Sequence, residues 1–176
     1  MKNRLPYEKK SDAIKGYVDS KIAKGEKNDC VVRAFASSFE IPYDEAHSFV
    51  SKFFNRQPRK GTYLTSYKLV QMADKKMVIN NKTVNTMGSR NNNHMFRSLD
   101  YDVKVKGVVK KRRMTVGKFV KDNPKGTFFM LVRGHAFTIK NGSVIGNWSD
   151  AEKLRTRVVT AFEIKWFFFN IVIFIK

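Results

Sequence analysis

The spacing of apolar residues changes along this chain, from every third or fourth position in the first half to every second position after Pro124. That change restricts the fold more than any other feature, because helices bury a stripe of period 3.6 and strands a face of period two. In NDCVVRAFASSFE, Asn28 or Asp29 is placed to cap a helix, and Val31, Val32, Phe35, Ala36 and Phe39 recur along one side of it. Pro42 suits the start of a second helix, with Asp44 and Glu45 at its positive end and Ala46, Phe49, Val50 and Phe53 as its stripe. A third helix is expected after Gly61 and Thr62, carrying Leu64, Tyr67, Val70 and Met77. The Asn-rich middle, MVINNKTVNTMGSRNNNHMF, predicts short strands and loops. YDVKVKGVV reads as a strand, and Thr115 caps a short helix that stops before Pro124. GTFFMLV, HAFTIK, SVIGNW and RVVTAFEI follow as strands, with Asn141-Gly142 joining HAFTIK to SVIGNW as a hairpin. Helices first and antiparallel strands second predict an α+β domain in two segregated layers, the N-terminal helices packed on a C-terminal antiparallel sheet.

A length of 176 residues suits one core. Residues 1–24 are expected as a basic arm with a short helix around 11–24, because residues 1–27 hold eight basic and four acidic residues with weak periodicity. Residues 25–176 form the single domain. The 35 Lys and Arg against 15 Asp and Glu give a net charge of +20, which favours a polyanionic partner: nucleic acid, an acidic protein or an anionic cell wall. Residues 104–125 carry nine basic residues and one acid, so Lys104, Lys106, Lys110, Lys111, Arg112 and Arg113 are candidate anion contacts, the last four in a loop between a strand and a helix. Arg56, Arg59 and Lys60 form a second candidate cluster. No helix-turn-helix or RNA-binding sheet motif points to base-specific readout. The apolar run WFFFNIVIFIK at 166–176 needs cover, first as a buried last strand, next as a contact with a second copy or another partner, and last as an attachment to a membrane interface. It is about half as long as a membrane-spanning helix, and the amino terminus lacks the apolar core of a signal peptide. A cytoplasmic or virion location is therefore expected.

One cysteine, Cys30, excludes an internal disulfide and a paired-thiol zinc site. In the first turn of a helix it feels the positive end of the dipole and free backbone N–H groups, which favour the thiolate. His135 opens a strand, and its partner across the hairpin depends on the turn. A three-residue turn at Lys140-Asn141-Gly142 puts His135 opposite Asn147, whose side chain would then orient the ring. A two-residue Asn-Gly turn puts Trp148 there instead and sends Asn147 to the other face. Asp150 is the second candidate for the orienting role, since it also stabilises an imidazolium. His47 and His94 have no metal-ligand spacing to another His or Cys, and phosphate-loop, dinucleotide and zinc-finger patterns are absent, so no metal or cofactor is expected.

A Cys at a helix start, a His on a strand about 100 residues later, then Asn followed by Trp, carried by NDCVVRAFA, GHAFTIKNG and GNWSD, resembles the papain-like cysteine peptidases. The likeness is greatest to the small papain-like proteins encoded by tailed phages, and extends more distantly to bacteriocin-processing peptidases and transglutaminase-like domains. It covers residues 25–160 and implies a papain-like fold with Cys30 as nucleophile, His135 as base and Asn147 as orienter. Where these peptidases carry a Gln that helps to bind the oxyanion, this chain has Lys24, which leaves Asn28 and the backbone N–H of Cys30 as candidate donors. The resemblance implies a peptidase, or an amide-bond hydrolase or transferase, acting in an infected bacterial host. Two alternatives are that the papain-like fold the resemblance implies is inactive and binds nucleic acid or a host protein through its basic surface, and that the chain is a basic structural protein of a virion.

Overall fold

The computed structural model describes residues 4–63, 65–87 and 100–167. In chain order the elements are β1 (Tyr7–Lys9), α1 (Lys10–Ala13), α2 (Lys21–Gly25), α3 (Cys30–Phe39), α4 (Tyr43–Phe53), α5 (Thr65–Asp74), β2 (Lys82–Met87), β3 (Asp100–Val105) and β4 (Val108–Arg113). They continue with α6 (Val116–Asp122), β5 (Thr127–Val132), β6 (His135–Lys140), β7 (Ser143–Gly146), α7 (Trp148–Ala151) and β8 (Val158–Trp166). The result is a mixed α/β protein with a six-stranded sheet and a separate two-stranded ribbon. The sheet runs β1-β7-β6-β5-β8-β2, antiparallel throughout except for the parallel pair β1 and β7.

The sheet is covered on both faces, whereas the order of elements predicted two layers. The reason lies in β5, TFFMLV, which has no polar alternation and so cannot turn either face to water. Phe129 and Leu131 pack under α3, α4 and α5 with Phe35, Phe39, Val50 and Leu69. Phe128, Met130 and Val132 pack on the other side with Val116, Phe119 and Val120 of α6. Burying each such side chain contributes about 1.5–3 kcal/mol. Thr115 caps α6 by accepting the Lys118 N–H, as its sequence predicts.

Residues 4–25 belong to this domain and do not form an arm. Tyr7–Lys9 pairs with the edge of β7, and Leu5 and Ile14 are buried in the two cores. A three-residue strand and a four-residue helix are too short to display a period, so their sequence looks featureless. On α5 the inward residues are Thr65, Leu69, Val70 and Met72, while Tyr67 points outward. Leu64 lies outside the described residues.

Three turns position the functional features. Lys106 and Gly107, both at positive φ, fold YDVKVKGVV and the basic run after it into the ribbon β3–β4, so Lys110–Arg113 form a strand where the sequence suggested a loop. Arg133 and Gly134 join β5 to β6, with Gly134 at φ +70 and His135 paired to Val132. Asn141 and Gly142, at φ 48 and 79, make a two-residue turn that pairs Lys140 with Ser143 and Thr138 with Ile145. Among the described residues no helix is long and apolar enough to cross a membrane. Of the apolar run at 166–176, Trp166 ends β8 with the Lys82 ammonium over its ring, and 168–176 lie outside the described residues.

Candidate active site

Cys30 is the first residue of α3, a ten-residue helix whose first internal bond runs from the Arg33 N–H to the Asp29 carbonyl. The N–H groups of Cys30, Val31 and Val32 therefore have no intrahelical acceptor, and they point along the positive end of the helix dipole. Asp29 occupies the cap position without capping. Its Oδ1 accepts from Arg33 Nε at 2.9 Å and its Oδ2 from the Tyr43 hydroxyl at 3.0 Å, which leaves the helix N–H groups open.

His135 stands at the first position of β6, between the two layers. Alternation puts it on the side of Phe137, where α7 packs, and its Nε2 donates to Asp150 Oδ1 at 2.8 Å. Cys30 belongs to the opposite layer with Ala136. At the strand end the imidazole lies beside both: with Nε2 on Asp150, its Nδ1 edge is the one left for the Cys30 sulfur, and the ring and the Ala136 N–H are near enough to that sulfur to favour its thiolate. The thiol, the imidazole and the carboxylate thus form one chain across the end of the sheet.

The electrostatics follow from this arrangement. The Asp150 bond and then the Cys30 bond outweigh burial and raise His135 from its ordinary 6.5 to about 9. Burial pushes the Cys30 thiol up, but the His135 and Ala136 bonds and the charges of His135 and Arg33 hold it below its ordinary value. Burial likewise opposes ionisation of Asp150, and the bonds from His135 and the Asn147 N–H outweigh it. Both shifts favour the charged forms, thiolate and imidazolium.

Asp150 is held by its own neighbourhood. Its Oδ2 accepts the Asn147 N–H at 2.9 Å, which closes the first turn of α7. A Cβ at Gly146 would lie 2.8 Å from that oxygen, so only glycine leaves room for the carboxylate. Trp148, beside it, takes the Arg4 guanidinium over its ring at 4.0 Å and the edge of Tyr7 at 5.7 Å, which ties the amino-terminal segment to α7.

Comparison of the chain with known protein families, with curated proteins and with solved structures finds no match.

The structure places His135 beside Cys30 and hydrogen-bonds its Nε2 to Asp150. Asn147 does not hold the ring. The two-residue turn at Asn141-Gly142 is the register that turns its side chain away, and its Oδ1 accepts from Arg33 Nη1 at 3.0 Å. Asn28, the side-chain oxyanion candidate, is exposed, and its amide donates to the Arg59 carbonyl at 3.5 Å. Lys24 is exposed on α2. The backbone N–H groups at the start of α3 are the donors that remain.

Arg56 is not a surface contact. It is 4% exposed, and its Nη2 donates to Glu26 Oε2 at 2.6 Å, while His47 Nε2 donates to Glu26 Oε1 at 2.9 Å. This Glu26-His47-Arg56 cluster ties the segment before Cys30 to α4. Arg59 and Lys60 are exposed in the loop that follows, and Arg59 N–H also reaches Glu26. Lys104, Lys106, Lys110, Lys111, Arg112 and Arg113 all lie exposed on the ribbon. Among the described residues no group of His, Cys, Asp and Glu is arranged to hold a metal. Sequence reasoning missed Arg33, whose bonds to Asp29 and Asn147 link α3 to α7; only its spacing of four from Asp29 gave a signal.

Proposed function

We propose that this protein is a thiol enzyme that cleaves or transfers at an amide bond, with Cys30 as nucleophile, His135 as acid and base, and Asp150 as the positioning carboxylate. The observation that carries the reading is the chain Asp150-His135-Cys30 at the start of a ten-residue helix. The resemblance to papain-like peptidases supports it, with Asp150 in the role the resemblance gave to Asn147.

The Cys30 thiolate attacks the carbonyl carbon, and the carbon-oxygen π pair moves to oxygen, where the N–H groups at the start of α3 stabilise the negative charge. As the tetrahedral intermediate collapses, the carbon-nitrogen bond breaks and the imidazolium gives its proton to the departing amine. A water or an acceptor amine then attacks the thioester, with neutral His135 taking its proton and the Cys30 thiolate leaving. Asp150 keeps the ring oriented and favours its charged form throughout. Peptides, isopeptides and cell-wall crosslinks all present the required amide.

The test needs no substrate. Alkylation of Cys30 by iodoacetamide is followed from about pH 4 to pH 10 in the wild type and in His135→Ala. Rapid labelling well below the ordinary thiol value of about 8.5, lost in the variant, supports the reading. A slow rate that His135→Ala leaves unchanged overturns it.

A further inference from the structure

We infer that the ribbon β3–β4 is a binding arm for duplex DNA, inserted into the major groove. The ribbon stands outside the six-stranded sheet, and every residue of β4 is exposed. Over residues 100–113 it carries six basic side chains and two acidic ones. The pairing separates these charges. Asp100 faces Arg113 and Asp102 faces Lys111, whereas Lys110 and Arg112 face Val103 and Tyr101 and have no acid across from them. Lys106 stands at the tip, and Lys104 lies opposite Val109.

Two paired strands are about 5 Å apart, and side chains on their flanks bring the width to near the roughly 12 Å of a B-form major groove. A groove has two phosphate walls. Basic side chains on both faces and at the tip can meet both, whereas an acidic protein surface would engage one face and leave the other in water. Val108 and Val109 at the tip are 57% and 62% exposed and offer apolar contact to the groove floor, where thymine methyl groups lie. The deep, narrow major groove of A-form RNA would not admit the ribbon. This inference is independent of the thiol chemistry.

The experiment measures binding of a labelled DNA duplex of about 20 base pairs by anisotropy across a range of salt concentrations. The probe is tested against wild type, against the combined variant K110Q, K111Q, R112Q and R113Q, and against a control that neutralises exposed Lys21, Lys24, Lys75 and Lys76 to Gln. The ribbon variant should bind more than about tenfold more weakly and lose about three to four from the log-log salt slope, with the control close to wild type. It should keep the wild-type alkylation rate at Cys30, so failure here is distinct from failure of the enzymatic reading. Equal losses in both variants would reduce the effect to net charge and overturn the inference. Competition by polyglutamate or by duplex RNA as strong as by unlabelled DNA would overturn it in favour of those partners.

Discussion

Asp150→Asn removes one negative charge while keeping the size of the side chain; its single oxygen can stay on the His135 ring, and its NH2 then meets the Asn147 N–H that the carboxylate accepted. His135 stands at about 9 against an ordinary 6.5, a difference of about 3 kcal/mol between its charged and neutral forms. The bond to Asp150 is the largest contributor to it. A charge-assisted hydrogen bond contributes about 1.5–3 kcal/mol and a neutral one about 1. The variant thus loses about 1–2 kcal/mol, which lowers His135 by about one unit, towards 8. Near pH 6 the ring stays charged in the variant, but a carboxamide holds it less firmly against the sulfur than the carboxylate does, so alkylation there should slow by roughly three- to tenfold. The assay pairs the alkylation profile with titration of the His135 ring protons by NMR, assigned through His135→Ala. Linkage adds a second readout. A group whose value is raised on folding contributes stability below its unfolded value and loses it as pH rises through its folded one. For His135 that loss runs from 6.5 to about 9 in wild type, and it should end about one unit earlier in the variant. Unchanged ring titration and unchanged alkylation in Asp150→Asn would refute the assignment of Asp150 as positioning residue.

Other outcomes follow from contacts already described. Gly146→Ala forces the Asp150 carboxylate aside, so its alkylation profile should shift as that of Asp150→Asn does; a wild-type profile would show that the close approach is unimportant. Arg33→Ala leaves the buried Asp29 carboxylate with the Tyr43 hydroxyl and removes the donor to Asn147, which should cost about 3 kcal/mol or more in urea unfolding; a loss below about 1 kcal/mol would contradict a structural role. Glu26 is held at about 2 by Arg56 and His47 against the opposing effect of burial, well below its ordinary 4.5. Its contribution of up to about 3 kcal/mol is therefore present above pH 4.5 and lost as pH falls towards 2. Glu26→Gln should flatten the acid limb of the stability curve, and an unchanged limb would count against the cluster.

The elements with a long period were legible in the sequence. α3 and α4 fall where apolar spacing put them, and Thr115 caps α6 as its position predicted. What was hidden depended on contacts distant in sequence. Asn147 and Asp150 are three residues apart, and a difference of one residue in a turn decides which of them meets His135; Asn141-Gly142 permits either turn on paper. The inclusion of Tyr7–Lys9 in the sheet left no local trace because its pairing is with β7, more than a hundred residues away. Arg56 resembled its basic neighbours because nothing near it in sequence reveals that Glu26 lies against it. The uninterrupted apolar character of TFFMLV did carry the message that both faces are covered, although alternation was the pattern sought.

Because Cys30 precedes His135 by 105 residues and Asp150 by 120, the order of synthesis governs when the thiol becomes reactive. At roughly 5–20 residues per second, several seconds separate emergence of the cysteine from that of its partners. During that interval it is an ordinary thiol on a nascent helix, without imidazolium or Ala136 N–H to stabilise the thiolate. The thiol's value falls only once β6 has docked and α7 has turned Asp150 inward. A chain truncated before residue 135 would carry Cys30 without the imidazole and the carboxylate that favour its thiolate.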